Sequence, residues 1–180
     1  MSRFLFLLVL FPVIVFAQFD ELQFDYFSVE DGLASCYVSC ITQDSSGFIW
    51  IGTKNGLNRY DGYKFTVFKH ISFDTTGLSD NLINALYFDQ SDFLWIGTGS
   101  GGLNRYDPKT GSFIWFKHHS SDPRSLSSDN ILSLYQDKYR NLWIGTLEGG
   151  LNQLILQSDS INLSNPVFKH FYQLFLLHQL

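Results

Sequence analysis

Three aspartates each stand six residues ahead of a tryptophan: Asp44 before Trp50, Asp89 before Trp95 and Asp137 before Trp143. Carboxylates at fixed spacing could serve as general acids, general bases or cation ligands. Acid–base work needs a second titratable group within reach of the same proton, and no paired carboxylate or nucleophile–base series accompanies these three. Asp in that position reads instead as a turn former that bonds its own backbone. His70, His118 and His170 each follow a Phe-Lys pair, one recurring position, which ties them to the fold rather than to a metal. His118 and His119 are adjacent, and adjacent side chains of a strand point to opposite faces. Cys36 and Cys40 lie four apart in a stretch entering a strand. Their α-carbons would then be about 13 Å apart, beyond disulfide reach. Two thiols without a second pair or a His cluster also make a poor zinc site. The run Gly99 to Gly102 precedes a strand rather than a helix, so a phosphate-cradling loop fails on context. No metal, cofactor or enzymatic activity is expected of this chain.

The same spacings make sense as architecture. Trp50, Trp95 and Trp143 open three copies of Trp-Ile-Gly-Thr, 45 and 48 residues apart. Val38, Ile83 and Ile131 stand twelve before each tryptophan, and Leu33, Leu78 and Leu126 stand eleven before each aspartate. A period of about 40 to 50 residues marks a stacked or radial array. In the middle copy, apolar runs over Ile83–Phe88, Phe93–Thr98, Leu103–Tyr106 and Ser112–His118 are separated by turn-forming segments rich in Asp, Gly and Ser. Four short strands joined by such turns form an antiparallel meander.

Phe93-Leu94-Trp95-Ile96 is apolar at consecutive positions, which requires both faces of the sheet to be covered. A half-exposed antiparallel sheet would alternate. Four-stranded sheets covered on both faces by copies of themselves are β-propeller blades. The fold class expected is therefore all-β, with about three four-stranded blades in an incomplete ring. The tryptophans read as wedges between blades. Gly52, Gly97 and Gly145 read as places where a neighbouring blade comes too close for a side chain. Aromatic residues, 17% of the chain, suit such packed sheets.

Blade 1 is expected over 33–77, blade 2 over 78–125, and blade 3 over 126–170 with a degenerate end. Residues 18–32 carry Phe24 to Val29, read as an outer strand that would complete the last blade of a closed ring. Residues 171–180 are an apolar tail outside the repeat. Three blades and one strand fall short of the four to eight that close a ring. The chain thus reads as the first fragment of something longer, with open blade edges for further blades or other chains. The N-terminus, Met1-Ser2-Arg3 followed by a thirteen-residue apolar stretch from Phe4 to Phe16 and Ala17-Gln18, has the pattern of a signal peptide spanning 1–17. It is too short for a membrane span of about 20 residues, so export with no retained span is expected. The formal net charge of −5, without a basic run, excludes nucleic acid.

In a meander of this kind the connection into the first strand and the turn between the second and third share one rim. That rim gathers Lys54 and Asn55 in blade 1, and Ser79, Asp80 and Asn81 with Gly99 to Gly102, including Ser100, in blade 2. In blade 3 it gathers Ser128, Asp129 and Asn130 with Glu148 and Gly149. These side chains would suit a polar solute, and equally suit turns capped for their own sake.

The phrase Asp-x-x-x-x-Leu-Trp-Ile-Gly-Thr, then Gly-Gly-Leu-Asn-Arg-Tyr-Asp, resembles the two-component regulator propeller repeat. The resemblance covers roughly residues 24 to 156. Asp44 to Asp61 and Asp89 to Asp107 match closely, whereas the third copy has Gln153 in place of Arg59 and Arg105 and lacks the Tyr-Asp that follows. The resemblance implies the periplasmic sensor region of a hybrid two-component system of Bacteroidetes type, sensing an oligosaccharide. It also implies further propeller blades, a membrane helix, a histidine kinase, a receiver and a DNA-binding domain, none of which this sequence contains. Sialidase-type Asp boxes are set aside, because Asp44 to Trp50 has one residue too many and the other copies lack Gly47.

Overall fold

A computed structural model describes residues 23–155 and 166–171. The segment read as a signal peptide, 1–17, lies outside these residues, as does 172–180 of the apolar tail. The described residues form three four-stranded antiparallel sheets and no helix. The first contains β1 (Val38–Gln43), β2 (Ile49–Thr53), β3 (Gly56–Tyr60) and β4 (Phe65–Phe68). The second contains β5 (Ile83–Phe88), β6 (Leu94–Thr98), β7 (Leu103–Asp107) and β8 (Ser112–Phe116). The third contains β9 (Ile131–Gln136), β10 (Asn141–Thr146), β11 (Gly150–Ile155) and β12 (Phe168–Phe171). Strand order within each sheet is sequential, and β1 lies beside β5 and β5 beside β9. These are successive propeller blades.

The turn from first to second strand is built identically three times. Asp89 Oδ1 accepts the amides of Ser91 and Phe93, while Oδ2 accepts the indole N–H of Trp95 at 2.8 Å. Asp44 does the same for Ser46, Phe48 and Trp50, and Asp137 for Tyr139, Asn141 and Trp143. One carboxylate therefore folds the hairpin and fixes the tryptophan that the hairpin carries.

The cores lie between blades rather than within them. Trp50 and Leu57 of blade 1 are buried against Ile83, Leu94, Ile96 and Tyr106 of blade 2. Trp95, Leu103 and Phe116 of blade 2 are buried against Ile131, Leu142, Ile144 and Leu154 of blade 3. Each tryptophan also packs on an aromatic of its own fourth strand: Trp50 on Phe68, Trp95 on Phe116 and Trp143 on Phe171. A Cβ on Gly52 would lie 2.7 Å from Ile83 Cγ2, and one on Gly97 would lie 2.6 Å from Ile131 Cγ2. Both glycines are notches for the next blade's first strand. Gly145 differs: an added Cβ would meet only Ser133 of its own sheet, because no further blade among the described residues packs on that face.

Each first strand is irregular where Ser39, Asn84 and Leu132 stand. The Ser39 hydroxyl reaches across to the Ile83 carbonyl, and the Asn84 amide donates to the Ile131 carbonyl at 2.9 Å. The bulge thus aims a donor at the neighbouring blade. In the third blade Leu132 occupies this place.

The two ends differ in how they stand to the expectations, and one reading is corrected. Residues 23–28 join no sheet, because no described strand offers them a partner. Phe27 instead packs on Tyr60 and Phe65, as Phe68 packs on Tyr106 and Phe113 one blade later. The correction concerns His170, which does not share the position of His70 and His118. Phe68 and Phe116 pair with Leu57 and Leu103, whereas the equivalent Leu151 pairs with Phe171 and not with Phe168. The Trp143–Phe171 contact selects this register, so the fourth strand runs to Phe171 and the blade extends one residue past 170. His70 and His118 follow their strands and turn Nδ1 to the carbonyls of Leu78 and Leu126. His170 lies inside β12 and its Nε2 meets the Ser125 carbonyl.

Candidate functional site

The rim of polar residues exists, but most of its groups are committed to the fold. Asp80 Oδ2 accepts both the amide and the hydroxyl of Ser100, at 2.8 and 2.9 Å. The incoming connection is thereby clipped to the turn between β6 and β7. Behind it, Ser79 and Asn104 exchange two bonds: the Ser79 amide donates to Asn104 Oδ1, and Asn104 Nδ2 donates to the Ser79 hydroxyl. Ser127 and Asn152 repeat this exchange.

Asn81 and Asp129 join neighbouring blades. The Asn81 carbonyl accepts the Gly56 amide at 2.8 Å and its side chain accepts the His70 amide at 2.9 Å. The Asp129 carbonyl accepts the Gly102 amide at 3.0 Å and its carboxylate accepts the His118 amide at 2.7 Å. Asn81 and Asp129 are thus equivalent, each three residues after its repeat leucine. The visual match of Ser79-Asp80-Asn81 with Ser128-Asp129-Asn130 is one residue out of step. Gly56 and Gly102 hold φ of +125° and +80° to present these amides, a conformation that favours glycine. Asn130 stands at the place of Leu82: the two backbone carbonyls accept the amides of Leu147 and Gly99. Lys54 donates its amide to the Tyr37 carbonyl, and its ammonium sits 3.7 Å above the Tyr37 ring. Asn55 Nδ2 donates to the Ala34 carbonyl. Lys54, Asn55, Ser100 and Glu148 are exposed, and Glu148 is held at φ +65°. These four side chains, from three different blades, are the exposed part of the rim, with the Ser100 hydroxyl and the Asn55 amide already bonded to Asp80 and to the Ala34 carbonyl.

A second concavity lies at the opposite edge and was not singled out from sequence. A cleft of about 190 Å³ between blades 1 and 2 is lined by Asp44, Phe48, Arg59, Phe88, Asp92 and Lys109, among others. Arg59 spreads over the Phe48 ring at 4.9 Å, and Arg105 over Phe93 at 4.1 Å. The Nε atoms of both arginines are buried without a hydrogen-bond partner. Burial pulls the Arg105 guanidinium below its usual value, against the pull of Asp89 and Asp107. The repeated Asn-Arg-Tyr was the available signal: the arginine brings a cation beside the turn aspartate.

Cys36 and Cys40 are free thiols, the first exposed and the second half-buried, and burial raises the Cys40 pKa. No cluster of three His, Cys, Asp or Glu that could hold a metal occurs among the described residues. No helix among them is long and apolar enough to cross a membrane.

The sequence pattern of the family described as Two component regulator propeller matches residues 32–55, 77–100 and 125–148. Each match runs from the connection ahead of a first strand into the turn after the second strand, the segment holding the Asp–Trp pair. Histidine kinase P4 of Formosa agariphila is 38% identical over 63 residues, 35% of this chain and 5% of that protein. The extracellular domain of the hybrid two component system BT3049 from B. thetaiotaomicron superposes with a TM-score of 0.72 and 29% identity over 82% of this chain. That of BT4673 from the same organism gives 0.63 and 26% over 84%. The chain spans 20% and 21% of the length of those two structures. Three repeats with one turn chemistry, in three blades of one geometry, carry the pattern described as Two component regulator propeller.

Proposed function

We propose that this chain is part of the extracellular ligand-sensing propeller of a hybrid two-component system, exported to the periplasm and non-catalytic itself. The likeness to the extracellular domain of BT3049 over most of the chain carries this reading. Export agrees with the pattern of residues 1–17. The ligand is a polar solute such as an oligosaccharide, taken at the rim by Lys54, Asn55, Ser100 and Glu148. Asp80, Asn81, Asp129 and Asn130 position that rim. Recognition of hydroxyl-rich solutes needs few, well-placed polar groups on a stiff frame, and the Asp80–Ser100 clip supplies such stiffness. Signal output belongs to the kinase and regulator domains of such a system.

Isothermal titration of the exported chain against a panel of neutral and acidic oligosaccharides tests the reading. Binding is expected to fall at least about tenfold in a Lys54→Ala/Glu148→Ala double variant that unfolds at the same temperature. Absence of binding across the panel, or binding indifferent to both substitutions, would overturn the assignment of the rim. A free-standing scaffold is the second reading, favoured by the apolar residues exposed on the two outer blade faces.

A further inference from the structure

The hairpins of neighbouring blades meet at the edge opposite the rim, and the two meetings are built differently. Between blades 2 and 3, side chains of blade 3 close the gap. The Gln90 amide donates to Gln136 Oε1 at 3.1 Å, and Arg140 Nη2 donates to the Ser91 hydroxyl at 3.4 Å. Gln136 is buried there. Between blades 1 and 2 the equivalent hairpin residues are Ser45 and Ser46, and the places of Gln136 and Arg140 hold Phe88 and Asp92. A phenylalanine has no acceptor for the Ser45 amide, and an ionised carboxylate has no donor for the Ser46 hydroxyl. Phe88 turns its ring to Trp50 instead, 6.1 Å away between centroids. The gap stays open as the cleft of about 190 Å³. Phe88 also departs from the repeat. Blade 1 has Gln43 in that place, and Gln43 Nε2 donates to the Gly47 carbonyl as Gln136 Nε2 donates to the Arg140 carbonyl. Sequences break their own local rules chiefly at functional sites.

We propose that the cleft between blades 1 and 2 binds one small carboxylate that also carries hydrogen-bond donors, a sugar acid or an amino acid, in place of the plug that blade 3 supplies to blade 2. The Ser45 amide needs an acceptor, as the Gln90 amide does, and the Ser46 hydroxyl can donate to the same group. Arg59 and Lys109 line the cleft beside them, and two cations select a carboxylate as that acceptor. Arg59 Nε is buried without a partner. The orphaned Nε recurs in Arg105, whose cleft is closed, so the arginine supplies attraction and the missing plug supplies room. Asp92 is exposed in the place of Arg140. Its charge opposes a bare anion and favours a ligand whose hydroxyl or ammonium groups donate to it. Phe48, Phe88 and Pro108 wall the remainder and suit the C–H face of such a molecule. About 190 Å³ is less than the roughly 300 Å³ at which pockets for drug-sized ligands begin, which favours a single unit over a chain. The site lies at the edge away from Lys54, Asn55, Ser100 and Glu148, so it stands apart from the oligosaccharide reading of the rim.

Isothermal titration of the 180-residue chain with glucuronate and with leucine tests this. One of the two should bind, glucuronate identifying a sugar acid and leucine an amino acid. Glucose and leucine amide lack the carboxylate and acetate lacks the donors, and each should bind at least about tenfold more weakly. Phe88→Gln with Asp92→Arg writes the plug of blade 3 into blade 2 and should abolish binding. Arg140 already holds this backbone place at φ +67°, against +63° for Asp92, so the hairpin accepts an arginine there. Arg59→Gln copies Gln153, which pairs with Trp143 as Arg59 pairs with Trp50, and should weaken binding at least about tenfold. The Lys54→Ala/Glu148→Ala variant should bind either probe as the native chain does, whatever becomes of the rim. Absence of binding by both probes, equal binding of glucose or acetate, or unchanged affinity in Arg59→Gln or in the plugged variant at an unchanged thermal midpoint would overturn the proposal.

Discussion

Trp95 Nε1 donates to Asp89 Oδ2 at 2.8 Å while both residues are buried. The bond links the tip of a hairpin to the wedge between two blades, so hairpin and interface form together. Asp89→Ala leaves the indole N–H unsatisfied inside the core and removes two amide bonds of the turn. A buried donor left unpaired costs about 1 to 3 kcal/mol. The expected loss is therefore about 2 to 3 kcal/mol, read as the change in midpoint of urea unfolding at constant slope. A loss below about 0.5 kcal/mol would show that the aspartate only shapes the turn.

The notch glycines give a contrast within one repeat position. A methyl at Gly97 would sit 2.6 Å from Ile131 Cγ2 and 2.9 Å from Ile131 Cβ. That side chain is branched and enclosed, so relief requires the blades to separate. Gly97→Ala should cost about 1 to 3 kcal/mol, the usual penalty of overpacking. At Gly145 the obstacle is the Ser133 hydroxyl on an exposed residue, which rotates away. Gly145→Ala should cost less than half as much in the same unfolding assay. Equal costs would mean that glycine serves the strand's own backbone at both places.

Most of this frame was legible in the sequence, because repetition exposes positions that composition hides. The strands of blade 2 were readable to within two residues, since Phe93 to Ile96 is apolar on both faces and Asp89 and Gly99 bound it. The Asp–Trp bond was not, although the constant six-residue spacing contained it: turn chemistry alone explains an aspartate there. The register of β12 was also hidden. Phe168-Lys169-His170 copies the letters of the earlier strands, yet Phe171 is the residue that reaches Trp143, and packing overrode the motif. At the rim, Asn81 and Asp129 showed their polarity but not that a neighbouring blade's amide consumes it.

Acid should reach the third blade's turn late. Desolvation pushes the Asp137 carboxyl up. The Asn141 and Trp143 side chains and the Asn141 and Tyr139 amides outweigh it and hold the pKa at about 2. A carboxyl with a folded value below its unfolded one contributes stability that is complete above the unfolded pKa of about 3.9. That contribution fades as pH falls toward about 2. The difference in thermal midpoint between the native chain and Asp137→Asn should therefore be constant from pH 7 to about 5 and shrink between about 4 and 2. A difference that stays flat through this window would remove the carboxylate's charge from the account.

The three hairpin turns place one residue in the left-handed region, and only the first copy uses glycine for it. Gly47 has φ +90°, whereas Asp92 and Arg140 have +63° and +67°. In each turn this residue returns its amide to the carbonyl of the repeat aspartate, at 3.0 to 3.1 Å. The geometry is therefore required by the fold. A side chain in that region costs roughly 1 to 2 kcal/mol, less for Asp, which tolerates it. A Cβ at Gly47 would meet only the end of Gln43 at 3.8 Å, an ordinary contact, so Gly47→Ala reads backbone strain without steric clash. It should destabilise the chain by about 1 kcal/mol. Asp92 is exposed, and Asp92→Gly should stabilise by a few tenths of a kcal/mol, the relieved strain exceeding the added freedom of the unfolded chain by a small margin. Both variants are measured by urea unfolding against the native chain. Opposite signs at the two positions would establish that the turns share one strained backbone site. If Asp92→Gly proves destabilising, the carboxylate of Asp92 contributes a bond worth more than the strain, and the three turns are equivalent in shape but not in energy.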